Sequence, residues 1–351
     1  HVLLTMRDAL DGDAPYEIKG VDRLMALAGQ FGIETEDRET NDIARDLVKI
    51  ALEDFGRQDN GINNWMKVRS NDKELEMWKE AGLTYANPHN QIETGMHATS
   101  MGNDADPVSL LKFVLRMGLV DGMSGLTLAT DLQDIIFGTP QVHTVGANIG
   151  VLEENSVNLA VHGHNPVLSE KILEAAVRME DDAKAAGAEG INAVGVCCTG
   201  NELSMRHGVP LAAHNLQSEL ILTTGAVDAM VVDIQCIWPQ LPTLAKCYDT
   251  AFITTDEMVH IPGATHIEFH AKTANESAEA IVQAAIDAFK ARQGKMVNIP
   301  DNKTQAVVGL SVEAIVGILS QLDAENPLKP VIDNIVEGNI FGAVGIAGCS
   351  S

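Results

Sequence analysis

The second half of this chain alternates short apolar runs with helical stretches, a pattern that few folds accept. The runs are Val157–Val161, Ile191–Val196, Ala229–Ile234 and Ala251–Thr254. Between and after them, helical periodicity covers roughly 167–187, Leu216–Gly225 and 275–292. Runs this short and this largely apolar have little polar surface to give to water. They predict strands buried on both sides, in a parallel sheet whose crossovers are the helices.

The rest of the chain divides around that pattern. Before about residue 140 strands are scarce and the periodicity is helical. Residues 41–55 place apolar side chains at i, i+3, i+4 and i+7, and Asp106-Pro107 reads as the cap and first turn of a helix reaching Leu119. From 301 the alternation restarts, with a strand at Ala306–Leu310, a helix at 311–322 and a strand at Gly342–Ala347. The expected organisation is a helical domain over 1–140, a Rossmann-like α/β domain over 141–300, and the truncated start of a second Rossmann-like α/β domain over 301–351. The lack of an initiator Met, the helical opening at Val2 and the stop just after a strand suggest an internal segment of a longer protein.

Charge and hydropathy narrow the partners. A net charge of −25, spread along the chain, repels phosphate backbones and anionic lipid surfaces, so nucleic acid is not an expected partner. No apolar run reaches the roughly 18–20 residues of a membrane-spanning helix. The apolar start breaks at Arg7 and Asp8, unlike a secretory leader. Five thinly spread cysteines argue against a disulfide framework and for a reducing, cytoplasmic setting.

In open parallel sheets, ligands collect outside the carboxyl ends of the strands. Those ends carry His162 and His164, Cys197 and Cys198, Cys236, and Cys349, so four of the five cysteines occupy these positions. Thiolates select zinc, copper(I) or iron–sulfur groups. Structural zinc usually draws on short Cys-x(2–4)-Cys knuckles. Here 38 positions separate Cys198 from Cys236 and 113 separate Cys236 from Cys349. Ligands arriving singly from distant strands favour a bulky cluster over one ion.

At these residues the chain resembles a known family. Val-His-Gly-His-Asn-Pro-Val-Leu-Ser-Glu (161–170), Gly-Val-Cys-Cys-Thr-Gly-Asn-Glu (195–202) and Val-Val-Asp-Ile-Gln-Cys-Ile (231–237) are similar to signatures of the catalytic subunit of anaerobic nickel–iron carbon monoxide dehydrogenases. So are 101–107, 129–140 and 146–152, in the same order. The fold implied is α/β with an N-terminal helical domain and Rossmann-like parallel-sheet domains, related to the hybrid-cluster (prismane) proteins. The activity implied is reversible oxidation of carbon monoxide with water to carbon dioxide at a nickel–iron–sulfur cluster of Ni-4Fe-4S type. Carried over by residue, His164 and Cys198 bind an iron outside the cubane, and Cys236 and Cys349 each bind a cubane iron. The family's two further cluster cysteines and an assisting lysine fall beyond residue 351, and the cysteines of its additional [4Fe-4S] clusters fall before His1. The family also implies a ferredoxin-type electron acceptor, a homodimer, an anaerobic prokaryotic cytoplasm, and association with an acetyl-CoA synthase or a hydrogenase.

Rival readings have their own marks. A hybrid-cluster reductase shares the Cys-Cys-Thr-Gly segment but not the His-Gly-His-Asn-Pro run. A non-catalytic, cluster-carrying subunit would keep the fold, and a zinc-stabilised module would need only the thiols. Among neighbours, His162 is expected to stand at a different height from His164, and Cys197 to pack into the sheet or to stand just behind the ligands. Cys247, inside a helical pattern, is expected to be a buried thiol.

Overall fold

The computed structural model of the chain describes residues 1–346. Cys349 and residue 347 lie outside the described residues. The chain divides into two compact units, His1–Gly138 and a second from Thr139 onward.

The first unit is helical. The helix expected at 41–55 spans Thr40–Gly56 and buries Ile43, Ala44, Leu47, Val48 and Ala51 along one stripe. Pro107–Leu119 starts where Asp106 accepts from Ser109 N at 2.8 Å, the cap that the Asp-Pro pair announces. A wide-turned π segment follows at Val120–Thr127. Asp131 is the buried polar anchor: it accepts from Trp65 Nε1 at 2.9 Å and pairs with Arg23 at 2.6 Å. Tyr85 is buried with its hydroxyl 2.7 Å from Ser124 Oγ, and burial pushes its pKa up to about 12.

The second unit is built on one sheet. Its strands are β1 (His143–Ala147), β2 (Val157–Gly163), β3 (Ile191–Val196), β4 (Leu211–Ala213), β5 (Val227–Val232), β6 (Ala251–Thr254), β7 (Thr265–His266) and β8 (Thr304–Val308). The spatial order is β7-β6-β5-β2-β3-β4-β1-β8. Among the described residues every pairing is parallel except β1 with β8. Alternation explains how the sheet is covered on both sides. Leu159, Val161, Ala229 and Val231 join a core with the helices Pro166–Arg178, Cys197–His207 and Ala274–Arg292. Ala160, Val194, Met230 and Val232 face a second core with Ile221, Leu222, Leu241 and Ala245. Where charge enters this interior it is paired: Arg292 meets Asp228 at 2.7 Å and donates to the carbonyls of Glu154 and Ser156 at 3.1 and 3.2 Å.

The details differ from the expectation in four places. The helix expected over 167–187 is two, broken at Met179. The strand expected at 229–234 ends at Val232, which frees Asp233 and Ile234 to turn away. The strand expected to open a second sheet, at 306–310, is β8, and it closes the first sheet antiparallel to β1. It is pinned there because Asn302 Oδ1 accepts from Gly150 N at 2.9 Å and Thr304 Oγ1 lies 2.8 Å from Asn148 Nδ2. The strand expected from Gly342 is not formed: residues 342–346 have no regular structure.

The order of the strands opens a place for a ligand. The chain steps from β2 to β3 to β4 in one direction, and then returns to place β5 on the other side of β2. The connections therefore diverge between β2 and β5, which leaves a crevice at their carboxyl ends.

Candidate metal centre

Three side chains converge at that crevice. Ligand atoms of His164, Cys197 and Cys236 all lie within 4.8 Å of one another. Each comes from a different strand end: His164 just past β2, Cys197 directly after β3, and Cys236 four residues beyond β5. Cys236 Sγ is 3.7 Å from His164 Nε2.

The backbone at these positions is unusual. Cys197 has φ +60°, Gln235 +67° and Cys236 +54°, in the left-handed region that side chains with a Cβ rarely enter. Left-handed residues of this kind persist where their surroundings over-determine them, and they gather at functional sites. Two close approaches set the frame. Gly163 bridges Cys197 as an extra rung beyond β2 and β3. A Cβ on Gly195 would stand 2.6 Å from Gly200 Cα, so the helix Cys197–His207 sits directly against β3 where only glycines fit.

A buried carboxylate lies beneath the three ligands. Asp233 Oδ1 accepts from His164 N at 2.6 Å and from Ile234 N, while Oδ2 accepts from Thr199 Oγ1 at 2.7 Å. Burial pushes the Asp233 pKa up to about 6, against the lowering effect of those donors. At Cys197, the hydrogen bond with the neighbouring Cys198 thiol and then burial push the pKa up to about 11. His162 is buried close enough to draw the Cys197 value down, yet neither of its ring nitrogens makes a well-formed hydrogen bond.

The donor set decides what fits here. Two thiols and an imidazole suit a thiophilic metal or an iron–sulfur group, not magnesium or calcium. His164 Nδ1 is buried without a hydrogen-bond partner, a cost that coordination would remove. A thiol kept protonated by its surroundings becomes a ligand when a bound cation displaces its proton. On these grounds the residues fit a nickel–iron–sulfur group.

Of the residues expected from the sequence, the structure brings His164 and Cys236 together. The third member is Cys197, which is buried in the core beside Val196 and Ala212, as expected of it, with its thiol also close to the other two ligand atoms. Alternation along an extended strand does not apply, because β3 ends at Val196 and a left-handed residue starts the helix. Cys198 is half-buried beside Cys197. Cys349 lies outside the described residues. Cys247 corrects another expectation: it is exposed, not buried. Its helix, Leu241–Cys247, buries Leu241, Pro242 and Ala245, and position 247 falls on the opposite face, where Sγ reaches only Thr243 O at 3.5 Å. Asp233 and Thr199 escape a reading of the sequence alone. The signal for Asp233 is a charged residue closing an otherwise apolar run, Val-Val-Asp-Ile.

Comparison with known proteins finds matches along nearly the whole chain. The model of the Prismane/CO dehydrogenase family matches residues 2–351. Carbon monoxide dehydrogenase 2 of Carboxydothermus hydrogenoformans is 47% identical over 348 residues, which is 99% of this chain and 54% of that protein. The beta subunit of carbon monoxide dehydrogenase/acetyl-CoA synthase of Moorella thermoacetica is 41% identical over 355 residues, covering 100% of this chain and 52% of that subunit. Among solved structures, carbon monoxide dehydrogenase IV of C. hydrogenoformans superposes with a TM-score of 0.94 at 48% identity, over 97% of this chain and 54% of that one. The chain spans about half the length of the curated relatives it matches.

Proposed function

The chain belongs to the Prismane/CO dehydrogenase family, and from that premise we propose that its sheet edge holds part of a nickel–iron–sulfur cluster at which carbon monoxide and water become carbon dioxide, two protons and two electrons. One observation carries the reading: an imidazole and two thiols from three separate strand ends meet at the switch point of the sheet. When bound, the cluster supplies Lewis acidity toward water and a sink for the two electrons. The chain's own residues do the holding. His164 and Cys198 are proposed for the outer iron, Cys236 and Cys349 for the cubane, and Cys197 stands among the first three as a further sulfur donor or a hydrogen-bonding neighbour. The left-handed turn at Gln235-Cys236 aims that thiol back over the end of β2 toward His164.

The same proposal includes additional [4Fe-4S] clusters held by residues beyond this sequence, a ferredoxin-type electron carrier, a homodimer and a cytoplasmic site of action. The acetyl-CoA synthase named in the Moorella relative supports that association as a partner. Among the described residues no helix is long and apolar enough to cross a membrane. The division into a helical domain, an α/β domain and the start of a second α/β domain is proposed with it, the second α/β domain beginning after β8, because β8 completes the first sheet. The exposed apolar residues Val312, Ile315 and Ile318 on the helix Val312–Leu319 support that division, since such a face belongs against a sheet.

The test is metal analysis of the full-length protein purified without oxygen, together with carbon monoxide-dependent reduction of a viologen dye. Nickel with iron and dye reduction are expected. Iron without nickel would favour a hybrid-cluster reductase, and zinc alone with no dye reduction would overturn the reading.

A further inference from the structure

The three ligand-bearing segments have no covalent link shorter than the strands and helices between them, and two of the three ligands stand on left-handed backbone. Something must fix them relative to one another before any metal arrives. Disulfides do not: among the described residues no two cysteines are joined to each other. Direct contact between the ligands is slight, since Cys236 Sγ and His164 Nε2 stand 3.7 Å apart.

We propose that Asp233 is the positioning residue of the centre, a single carboxylate that ties all three ligand segments into one rigid unit. It reaches each of them. Oδ1 accepts from the backbone N–H of His164, which fixes the segment after β2. Oδ2 accepts from Thr199, two residues past Cys197, which fixes the start of the helix after β3. Its own turn leads through Ile234 N to Gln235 and Cys236. Gly163 makes room for it: a Cβ there would fall 1.8 Å from Asp233 Oδ1, and the φ of +130° at that residue is open only to glycine. Thr199 is fully buried and Asp233 is nearly so, so these bonds compete little with water. Buried partners that orient metal ligands commonly change metal affinity by 10–100-fold when removed.

The bonding pattern also says which substitutions the site tolerates. Oδ1 meets only N–H donors, whereas Oδ2 meets a hydroxyl that can either donate or accept. Asparagine can keep its oxygen on the two backbone N–H groups and offer its NH₂ to the Thr199 hydroxyl, which then rotates to accept. Geometry, not charge, is what the position needs.

This inference rests on reading the pocket as a metal centre, and the experiment separates the two. Full-length protein freed of its cluster is titrated with Co²⁺ alone, whose thiolate charge-transfer bands report sulfur ligation. Wild type should show those bands; their absence would overturn the metal-centre reading itself. Given the bands, Asp233→Ala should bind Co²⁺ about tenfold or more weakly and with weaker thiolate bands. Asp233→Asn should bind within about threefold of wild type, well short of the 10–100-fold loss that follows when a ligand-orienting partner is removed. Thr199→Val, which keeps the buried volume and removes one bond, should fall between them, and Thr199→Ser should restore binding. Near-ultraviolet circular dichroism of each variant shows whether the fold is kept. A folded Asp233→Ala or Thr199→Val with wild-type affinity and bands would overturn the proposal, as would a folded Asp233→Asn as defective as the alanine variant.

Discussion

Replacing Gly195 by alanine should loosen the seat on which Cys197 stands. The new methyl would lie 2.6 Å from Gly200 Cα, 2.9 Å from its oxygen and 3.0 Å from its carbonyl carbon. Those are backbone atoms of the helix Cys197–His207 and cannot rotate away. Relieving the contact to an ordinary separation of about 3.6 Å moves the start of that helix by about 1 Å, twice the ~0.5 Å tolerance of a working ligand geometry. Overpacking of this kind costs about 1–3 kcal/mol. For a unit of this size that lowers the thermal midpoint by roughly 3–9 °C. Gly200→Ala tests the same contact from the other side, where the new methyl meets Gly195 C at 2.5 Å. Alanine is better than glycine in a helix by about 1 kcal/mol, so a stability loss at 200 cannot come from propensity. Thermal unfolding followed by circular dichroism, with the Co²⁺ titration alongside, is the assay. A Gly195→Ala protein that melts within about 1 °C of wild type and binds Co²⁺ equally well would show that the close approach is not what seats the helix.

Features away from the centre carry their own expectations. Arg292→Leu leaves Asp228 buried without its cation and should cost about 3–5 kcal/mol in urea unfolding, whereas the double change Asp228→Asn with Arg292→Leu should recover part of that; a single variant as stable as wild type would remove the pair from any structural role. Tyr85 has a native pKa of about 12 against an ordinary value of 10.0, so its contribution is complete below pH 10 and is lost as pH rises from there to 12. The difference in unfolding free energy between wild type and Tyr85→Phe should therefore shrink across that window, by about 2–3 kcal/mol at most; a difference constant from pH 9 to 12 would contradict the burial argument. Cys247→Ala should change stability by no more than about 0.5 kcal/mol, and the native thiol should react readily with a maleimide, which a buried Cys247 would not do.

Parts of this molecule are written plainly in its sequence. β3 and β6 occupy Ile191–Val196 and Ala251–Thr254, the residues read from mostly apolar runs, because a strand covered by helices on both faces favours apolar side chains at successive positions. β4 and β7 are illegible for the opposite reason: strands of three and two residues are too short to show a period. β1 is hidden because Gly146 and its half-exposed neighbours break the apolar run at the sheet's margin. At the centre, the strand-end rule finds His164 and Cys236 without any distance information. It does not separate Cys197 from Cys198, since that choice depends on a left-handed residue at the junction of β3 and its helix, and local backbone sign leaves no trace in residue type when the residue is not glycine. The antiparallel placement of β8 is likewise a tertiary outcome: a short apolar run carries no record of its direction.

The placement of β5 beside β2 has a consequence for how the protein is made. His164 and Cys236 are 72 positions apart. The strands that aim them pair only after β3, β4 and their helices have been laid down on the far side of β2. At a synthesis rate of about 5–20 residues per second, roughly 4–14 s pass on the ribosome between the first of these ligands and the last. Until then His164 belongs to a half-built sheet whose open edge is β2, and no pocket exists for a metal to enter. Metal delivered early would meet loose thiols, not a shaped cavity. A centre that draws on both His164 and Cys236 is therefore complete only after the β2–β5 edge has closed, and slower closure lengthens the time in which their thiol and imidazole face solvent without a shaped site.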